Sequence, residues 1–203
     1  MTIQVAIADD HAMFRQAMRR LLETRHGIDV VAEASTGSEA IEAVRTHEPQ
    51  IVLLDIDMPD GDGIAAAEQI RRDHPQVGVV VLTMQLKDEY FRRSVQAGAR
   101  GYVLKSSSSA DVVRAIRTVV DGGWQYDPDM MARLIDAYHH AGAACVAPEL
   151  RLTERQLAML HLASTGASQS EIAEQFSLDE ETIKQALTEI FTRVAADGED
   201  GSG

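Results

Sequence analysis

A five-stranded, parallel, doubly wound α/β domain followed by a small all-α domain is the architecture this sequence predicts. Three observations carry that expectation. Strand-like apolar runs alternate with amphipathic helical runs five times over residues 1–121, the pattern of a parallel sheet with helices on both faces. Ile51 to Leu54 are apolar without interruption and run into Asp55, as a strand covered on both faces does. Beyond residue 148 the apolar spacing becomes helical only, in three short segments.

Taken in order, Ile3 to Ala8 reads as a strand and Met13 to Leu22 as an amphipathic helix. Ile28 to Ala34 and Ser38 to Arg45 repeat the pair. The central strand Ile51 to Leu54 is stopped by Met58-Pro59, and Asp60-Gly61-Asp62-Gly63 is turn chemistry leading into a helix over 64–72. Val77 to Leu82 is the most apolar strand, followed by a helix over 88–97. Tyr102 to Leu104 is a short fifth strand, and Ala110 to Val120 the fifth helix. Asp121-Gly122-Gly123 ends the domain at a glycine stop. Asp127-Pro128 marks a further helix start, with Met130 to His139 as one connecting helix and Ala141 to Pro148 as small-residue linker. Three helices are then expected at 154–164, 169–176 and 180–194, with Thr153 as an N-cap and Gly166 and Ser177 in the breaks. The expected domains are therefore 1–121, a linker at 122–148, a helical domain at 149–196 and an acidic tail at 197–203.

The 203 residues carry a net charge of −13, unevenly spread. Residues 1–121 hold 18 acids against 14 bases, whereas 149–203 hold 11 against 4. No apolar run approaches the ~20 residues that span a bilayer, and the N-terminus enters a strand with no basic leader. A cytoplasmic location is the expectation, with no membrane partner. The lone Cys145 excludes an internal disulfide or a thiolate metal cluster.

In an open parallel sheet, residues at the carboxyl ends of different strands converge on one crevice. The first strand ends in Asp9-Asp10, the third in Asp55, the fourth in Thr83 and the fifth in Lys105. Crowded carboxylates repel unless a cation is present. Mg²⁺ suits an oxygen site that also takes a phosphate oxygen. A lysine and a hydroxyl facing such a site are what a transferred phosphoryl group needs, with an in-line carboxylate as nucleophile. Each residue also has an ordinary reading: a helix cap for Asp9 or Asp10, a strand end for Thr83, a solvated charge for Lys105. It is their coincidence at four strand ends that points to phosphoryl chemistry.

These pieces, VAIADDHAMFR (5–15), IVLLDIDMPDGDG (51–63), VVVLTM (79–84) and AGARGYVLKS (97–106), closely resemble the receiver domain of two-component response regulators. ADDH, LTM and an LKS without a following proline resemble the LuxR/NarL (FixJ) type. The resemblance implies a flavodoxin-like receiver fold, with Asp55 as phosphoacceptor and Asp9 and Asp10 as the acidic pair at Mg²⁺. It implies the Asp57 backbone carbonyl as a further metal ligand, Thr83 and Tyr102 as switch residues, and Lys105 as the phosphate-binding lysine. A cognate histidine kinase and a homodimer formed on phosphorylation go with that family. The receiver is expected to catalyse only its own phosphoryl transfer and dephosphorylation, so the chain is not classed as an enzyme. Two rival motifs are weaker. Gly61 to Ala66 fits G-x-G-x-x-A but has Thr83 where a dinucleotide site wants an acid. Asp55-Ile56-Asp57 resembles a haloacid-dehalogenase phosphatase motif, but Pro59 replaces that family's threonine or valine.

Residues 152–194 resemble the LuxR-type helix-turn-helix, through Leu152-Thr153, Arg155, Leu160, Gly166, Ile172-Ala173 and Thr182-Ile183-Lys184. Residues 168–176 would be the scaffold helix and 180–194 the recognition helix in the major groove, with Thr182, Lys184 and Arg193 as DNA contacts. That helix departs from the family in carrying only two bases, with Asp179, Glu180, Glu181 and Glu189 on or beside it. The family's fourth, dimerising helix is not expected. Two functions follow: a phosphorylation-controlled DNA-binding transcriptional regulator, or a phospho-switch whose altered C-terminal domain acts by protein–protein interaction.

Overall fold

A computed structural model describes residues 2–24, 27–58, 63–84, 87–127, 130–133, 152–164 and 167–196. The chain divides into two compact units, 1–85 with 97–125, and 86–96 with 126–203.

In the first unit five parallel strands form one sheet in the order β2-β1-β3-β4-β5. They are β1 (Ile3–Ala8), β2 (Ile28–Ala34), β3 (Ile51–Asp55), β4 (Gly78–Thr83) and β5 (Gly101–Leu104). The strand and helix series matches the expectation with ends shifted by only a residue or two. Every residue of β3 and β4 is buried, which is why their sequences are apolar without alternation. The edge strand β2 does alternate, with Asp29 and Glu33 exposed between buried Ile28, Val30, Ala32 and Ala34.

The period-2 geometry of a strand sorts each side chain to one face. Val5, Ile7, Ile51, Leu53, Val80 and Leu82 meet Met18 and Leu22 of α1 (Ala12–Glu23) and Val112, Ile116 and Val119 of α5 (Ser109–Val120) in one core. Helices α2 (Gly37–His47) and α3 (Gly63–Asp73) bury Ala40, Val44, Ile64, Ala67 and Ile70. Two helix starts are set by side chains: Thr36 accepts from the Glu39 N–H, and Ser108 forms a reciprocal capping box with Asp111. After α5, Gly122 adopts φ 87°, and the Gly123 N–H returns to the Thr118 carbonyl at 2.8 Å. Only glycine takes that left-handed turn cheaply.

The second unit contains α4 (Asp88–Gln96), a helical turn at 130–133, α6 (Glu154–Ser164), α7 (Gln169–Phe176) and α8 (Glu180–Ala196). Asp127 does start a helix, its carboxylate accepting from the Met130 N–H at 3.1 Å. Tyr126 stands edge-on to both Phe91 of α4 and Phe191 of α8, at 5.3 and 5.4 Å between ring centres. Thr153 and Gln156 cap α6 reciprocally, and Ser168 with Glu171 does the same for α7. Ser177, at φ 53°, closes α7 in the left-handed region. Leu160, Ile172, Ile183, Leu187 and Ile190 form the buried helix contacts. The expected turn at 60–62, the connecting helix beyond 133, the linker to 148, Arg151, Gly166 and the tail at 197–203 lie outside the described residues. Among the described residues no helix is long and apolar enough to cross a membrane.

Candidate functional site

The carboxyl ends of β1, β3, β4 and β5 bring four of the expected residues into the same region of the first unit. Asp9 follows β1, Asp55 ends β3 and Thr83 ends β4; all three are fully buried. Lys105 follows β5, held by its backbone N–H on the Thr83 carbonyl at 2.8 Å. Its ammonium lies 2.7 Å from Asp9 Oδ2 and 2.7 Å from Asp55 Oδ2, with its side chain 5% exposed. Asp55 Oδ1 accepts from the Asp57 N–H at 3.1 Å. Asp9 Oδ1 accepts from the His11 N–H at 2.8 Å. Asp9 therefore braces the entry to α1 locally while facing Lys105, and the N-cap itself is His11, which makes no side-chain cap bond.

Helix α3 begins hard against this site. A Cβ on Gly63 would lie 2.1 Å from the Asp55 carbonyl oxygen and 2.8 Å from Ile56 Cα. The glycine thus serves a close backbone approach as well as turn chemistry.

The electrostatics follow from one cation between two buried carboxylates. Burial pushes the Asp55 carboxyl above the ordinary aspartate range; the Lys105 hydrogen bond and the Asp57 N–H pull the other way without cancelling it, and Asp9 adds to the rise. Burial pulls Lys105 down, but its bonds to Asp55 and Asp9 outweigh that and hold it above the ordinary lysine range. The ammonium has two anions to serve it, whereas each carboxylate has half an ammonium. That is a site short of positive charge.

Ligand atoms of Asp9, Asp10, His11 and Asp55 all lie within 4.8 Å of one another. Asp9 Oδ2 and Asp10 Oδ1 are shielded from solvent, the first facing the Lys105 ammonium at 2.7 Å and the second the His11 ring nitrogen at 2.5 Å. Three clustered carboxylates form an acidic pocket compatible with Mg²⁺. The Asp57 side chain is exposed and stands outside that group, so only its backbone remains as a candidate ligand. His11 belongs to the group although the sequence reasoning assigned it no role; its place directly after the acid pair was the available signal. Tyr102 is buried on β5 at 3% exposure.

The expected DNA contacts are engaged within their own helix or beside it. Thr182 donates its hydroxyl to Asp179 at 2.7 Å. Lys184 lies 3.8 Å from Glu181, and Arg193 2.6 Å from Glu189. Glu180, Glu181 and Glu189 are exposed.

Comparison with known proteins agrees with both halves. The family model for the response regulator receiver domain matches residues 5–117, and that for bacterial regulatory proteins of the luxR family matches 150–199. The response regulator protein VraR of Staphylococcus aureus is 32% identical over 96% of this chain and 91% of its own length. A two-component response regulator of the LuxR family from Aurantimonas is 36% identical, with a TM-score of 0.61 over 64% of this chain and 93% of its own. A structure described as the response regulator RcsB–DNA complex covers 96% of this chain and 93% of its own, with TM-score 0.60. At 24% identity that likeness speaks for the fold alone. With a receiver domain and a luxR-type DNA-binding domain both matched, and a relative aligned almost end to end, this chain belongs to the LuxR family of two-component response regulators.

Proposed function

We propose that this protein is a phosphorylation-controlled transcriptional regulator, with Asp55 accepting a phosphoryl group from a cognate histidine kinase. The observation that carries the reading is the buried Asp55 carboxylate, 2.7 Å from Lys105 and grouped with Asp9 and Asp10 at the strand ends. Asp55 attacks phosphorus as the bond to the kinase histidine breaks, and the imidazole leaves. Lys105, already at the Asp55 oxygen, meets the charge on the transferred group. Asp9, Asp10, Asp55 and the Asp57 backbone carbonyl would hold Mg²⁺, which supplies neutralisation of the phosphoryl oxygens. The Thr83 hydroxyl offers them a charge-assisted hydrogen bond, and the space its shift vacates is available to the Tyr102 ring. The receiver performs no chemistry beyond its own phosphorylation and dephosphorylation. The phosphorylated protein forms a homodimer, acts in the cytoplasm and presents α8 to the major groove of DNA through Thr182, Lys184 and Arg193. The domains run 1–121, 122–148 and 149–196, with a tail at 197–203.

With Mg²⁺ and acetyl phosphate, the wild type should gain one base-labile acyl phosphate and Asp55→Asn none at that site. Labelling that survives in Asp55→Asn and is lost in Asp57→Asn would move the assignment by two residues.

A second reading has an observation of its own. Both bases of α8 are ion-paired to acids of the same helix, which favours a C-terminal domain that works by protein–protein contact. A salt-dependent DNA-binding titration of the phosphorylated full chain separates the two. Nanomolar sequence-specific binding at physiological salt supports the transcription factor, and none at any salt supports the alternative.

A further inference from the structure

Helix α1 turns one stripe of side chains inward at the four-residue spacing of its period: Phe14, Met18 and Leu22. Met18 and Leu22 are buried in the core, and the half-buried Phe14 packs against the same cluster. Because α1 starts just after β1 ends, Phe14 is the member of that stripe nearest the carboxyl ends of the strands. There it makes a contact that core packing does not require. The Lys105 ammonium stands over the Phe14 ring, 5.0 Å from its centre.

The ammonium thus has partners of two kinds. Asp9 Oδ2 and Asp55 Oδ2 each lie 2.7 Å away, and the ring face takes a further side. The negative face of an aromatic ring attracts a cation at this distance, more strongly where water is excluded, and the Lys105 side chain is only 5% exposed. The two kinds of partner differ once a phosphoryl donor, itself an anion, approaches. A carboxylate holds the lysine but repels the donor. The ring holds the lysine with no net charge and claims no N–H in a directed bond. The ammonium can therefore pass from a carboxylate to a phosphoryl oxygen while keeping its contact with the ring.

We propose that Phe14 is a positioning residue for phosphoryl transfer to Asp55, acting through Lys105: its ring face keeps the ammonium at the Asp55 carboxylate without adding negative charge to the pocket. The proposal rests on the reading of Asp55 as phosphoacceptor and goes beyond it in naming the side chain that places the lysine. If Phe14 were only the end of an apolar stripe, its effect would depend on size and hydrophobicity and not on the charge distribution of the ring.

The test replaces Phe14 in the full-length protein, by nonsense suppression, with phenylalanines carrying one, two and three ring fluorines. These drain the negative face stepwise with little change of shape. Phosphorylation of Asp55 by acetyl phosphate with Mg²⁺ is timed by mass spectrometry, at temperatures where melting curves show every variant folded. The logarithm of the rate should fall in step with the fluorine count, to a loss of roughly 2- to 30-fold for the trifluoro ring, with Phe14→Leu no faster than that. A second readout needs neither metal nor phosphoryl donor. The chain has three lysines, and the ε-methylene protons of Lys105, assigned through its backbone, should resonate upfield of their position in Phe14→Leu, as protons over a ring face do. A rate indifferent to fluorination overturns the positioning role, as does a Lys105 signal that Phe14→Leu leaves in place; neither touches the assignment of Asp55. A wild type that is not phosphorylated overturns that assignment and this inference together.

Discussion

Replacing Lys105 with methionine tests the charge balance of the phosphorylation site directly. The substitution keeps an unbranched chain of similar length and removes the ammonium that lies 2.7 Å from both Asp9 and Asp55. Both carboxylates are fully buried, so the variant carries two desolvated anions with no protein cation against them. Breaking a buried ion pair by removing one partner costs about 3–5 kcal/mol. At a urea dependence of about 1–3 kcal/mol per molar, that moves the unfolding midpoint down by roughly 2 M. The pH dependence has a definite sign. Burial already raises the Asp55 carboxyl, and Lys105 opposes that rise. Without the lysine the folded-state value climbs further above the unfolded one, so stability is retained in acid and lost as pH rises through the folded value. The gap between variant and wild type should therefore be small near pH 4 and full at pH 7, measured in chelator-treated buffer. A neutral-pH loss below about 1 kcal/mol, the range of an exposed ion pair, would refute the reasoning. So would a loss independent of pH.

Three further outcomes are expected. Asp55→Asn, without metal, should be more stable than wild type at neutral pH and lose that advantage in acid, because a carboxyl raised by burial destabilises the fold once it ionises; urea unfolding at pH 7 and pH 4 checks it. Thr83→Ala should still be phosphorylated by acetyl phosphate but show little phosphorylation-dependent dimerisation by sedimentation, and wild-type dimerisation would remove Thr83 from the readout. Glu180→Gln with Glu181→Gln should raise non-specific DNA affinity at low salt. With four bases after residue 148, its salt slope should stay no steeper than about −0.9 per phosphate contact.

The receiver half was legible in the sequence because its strands are buried on both faces. An uninterrupted run such as Ile51 to Leu54, or Val79 to Leu82, has no other comfortable environment. Once the strand ends are placed, Asp9, Asp55, Thr83 and Lys105 must converge, and they do. What the residues could not convey was division of labour within the pocket. Lys105 bridges Asp9 as well as Asp55, a three-body arrangement that depends on side-chain reach and not on spacing. Nor does a letter in the sequence say that the Asp57 carboxylate is exposed while Asp9 is buried. His11 was hidden for a related reason. A histidine after two aspartates has many possible orientations, and only the folded backbone brings Nδ1 against Asp10.

In the C-terminal half, the sequence shows the charges but not which of them the fold has already committed. Asp179 holds the start of α8 by accepting from both the Thr182 N–H and hydroxyl, at 2.8 and 2.7 Å. Those bonds keep its carboxyl below the ordinary range, and its charge also suits the helix N-terminus. Glu180 is in hydrogen-bond contact with Ser170, while the exposed Glu181 lies 3.8 Å from Lys184. The negative charge beside the proposed recognition surface thus has two origins. Asp179 serves the helix start, and neutralising it would confuse lost structure with gained affinity. Glu181 accepts from the Gln185 amide at 3.3 Å and shadows one of the two bases the helix offers. If phosphate repulsion is what limits this domain, freeing Lys184 by Glu181→Gln alone should produce most of the affinity gained by changing both glutamates. An equal share from each would instead assign the penalty to net charge spread over the whole helix.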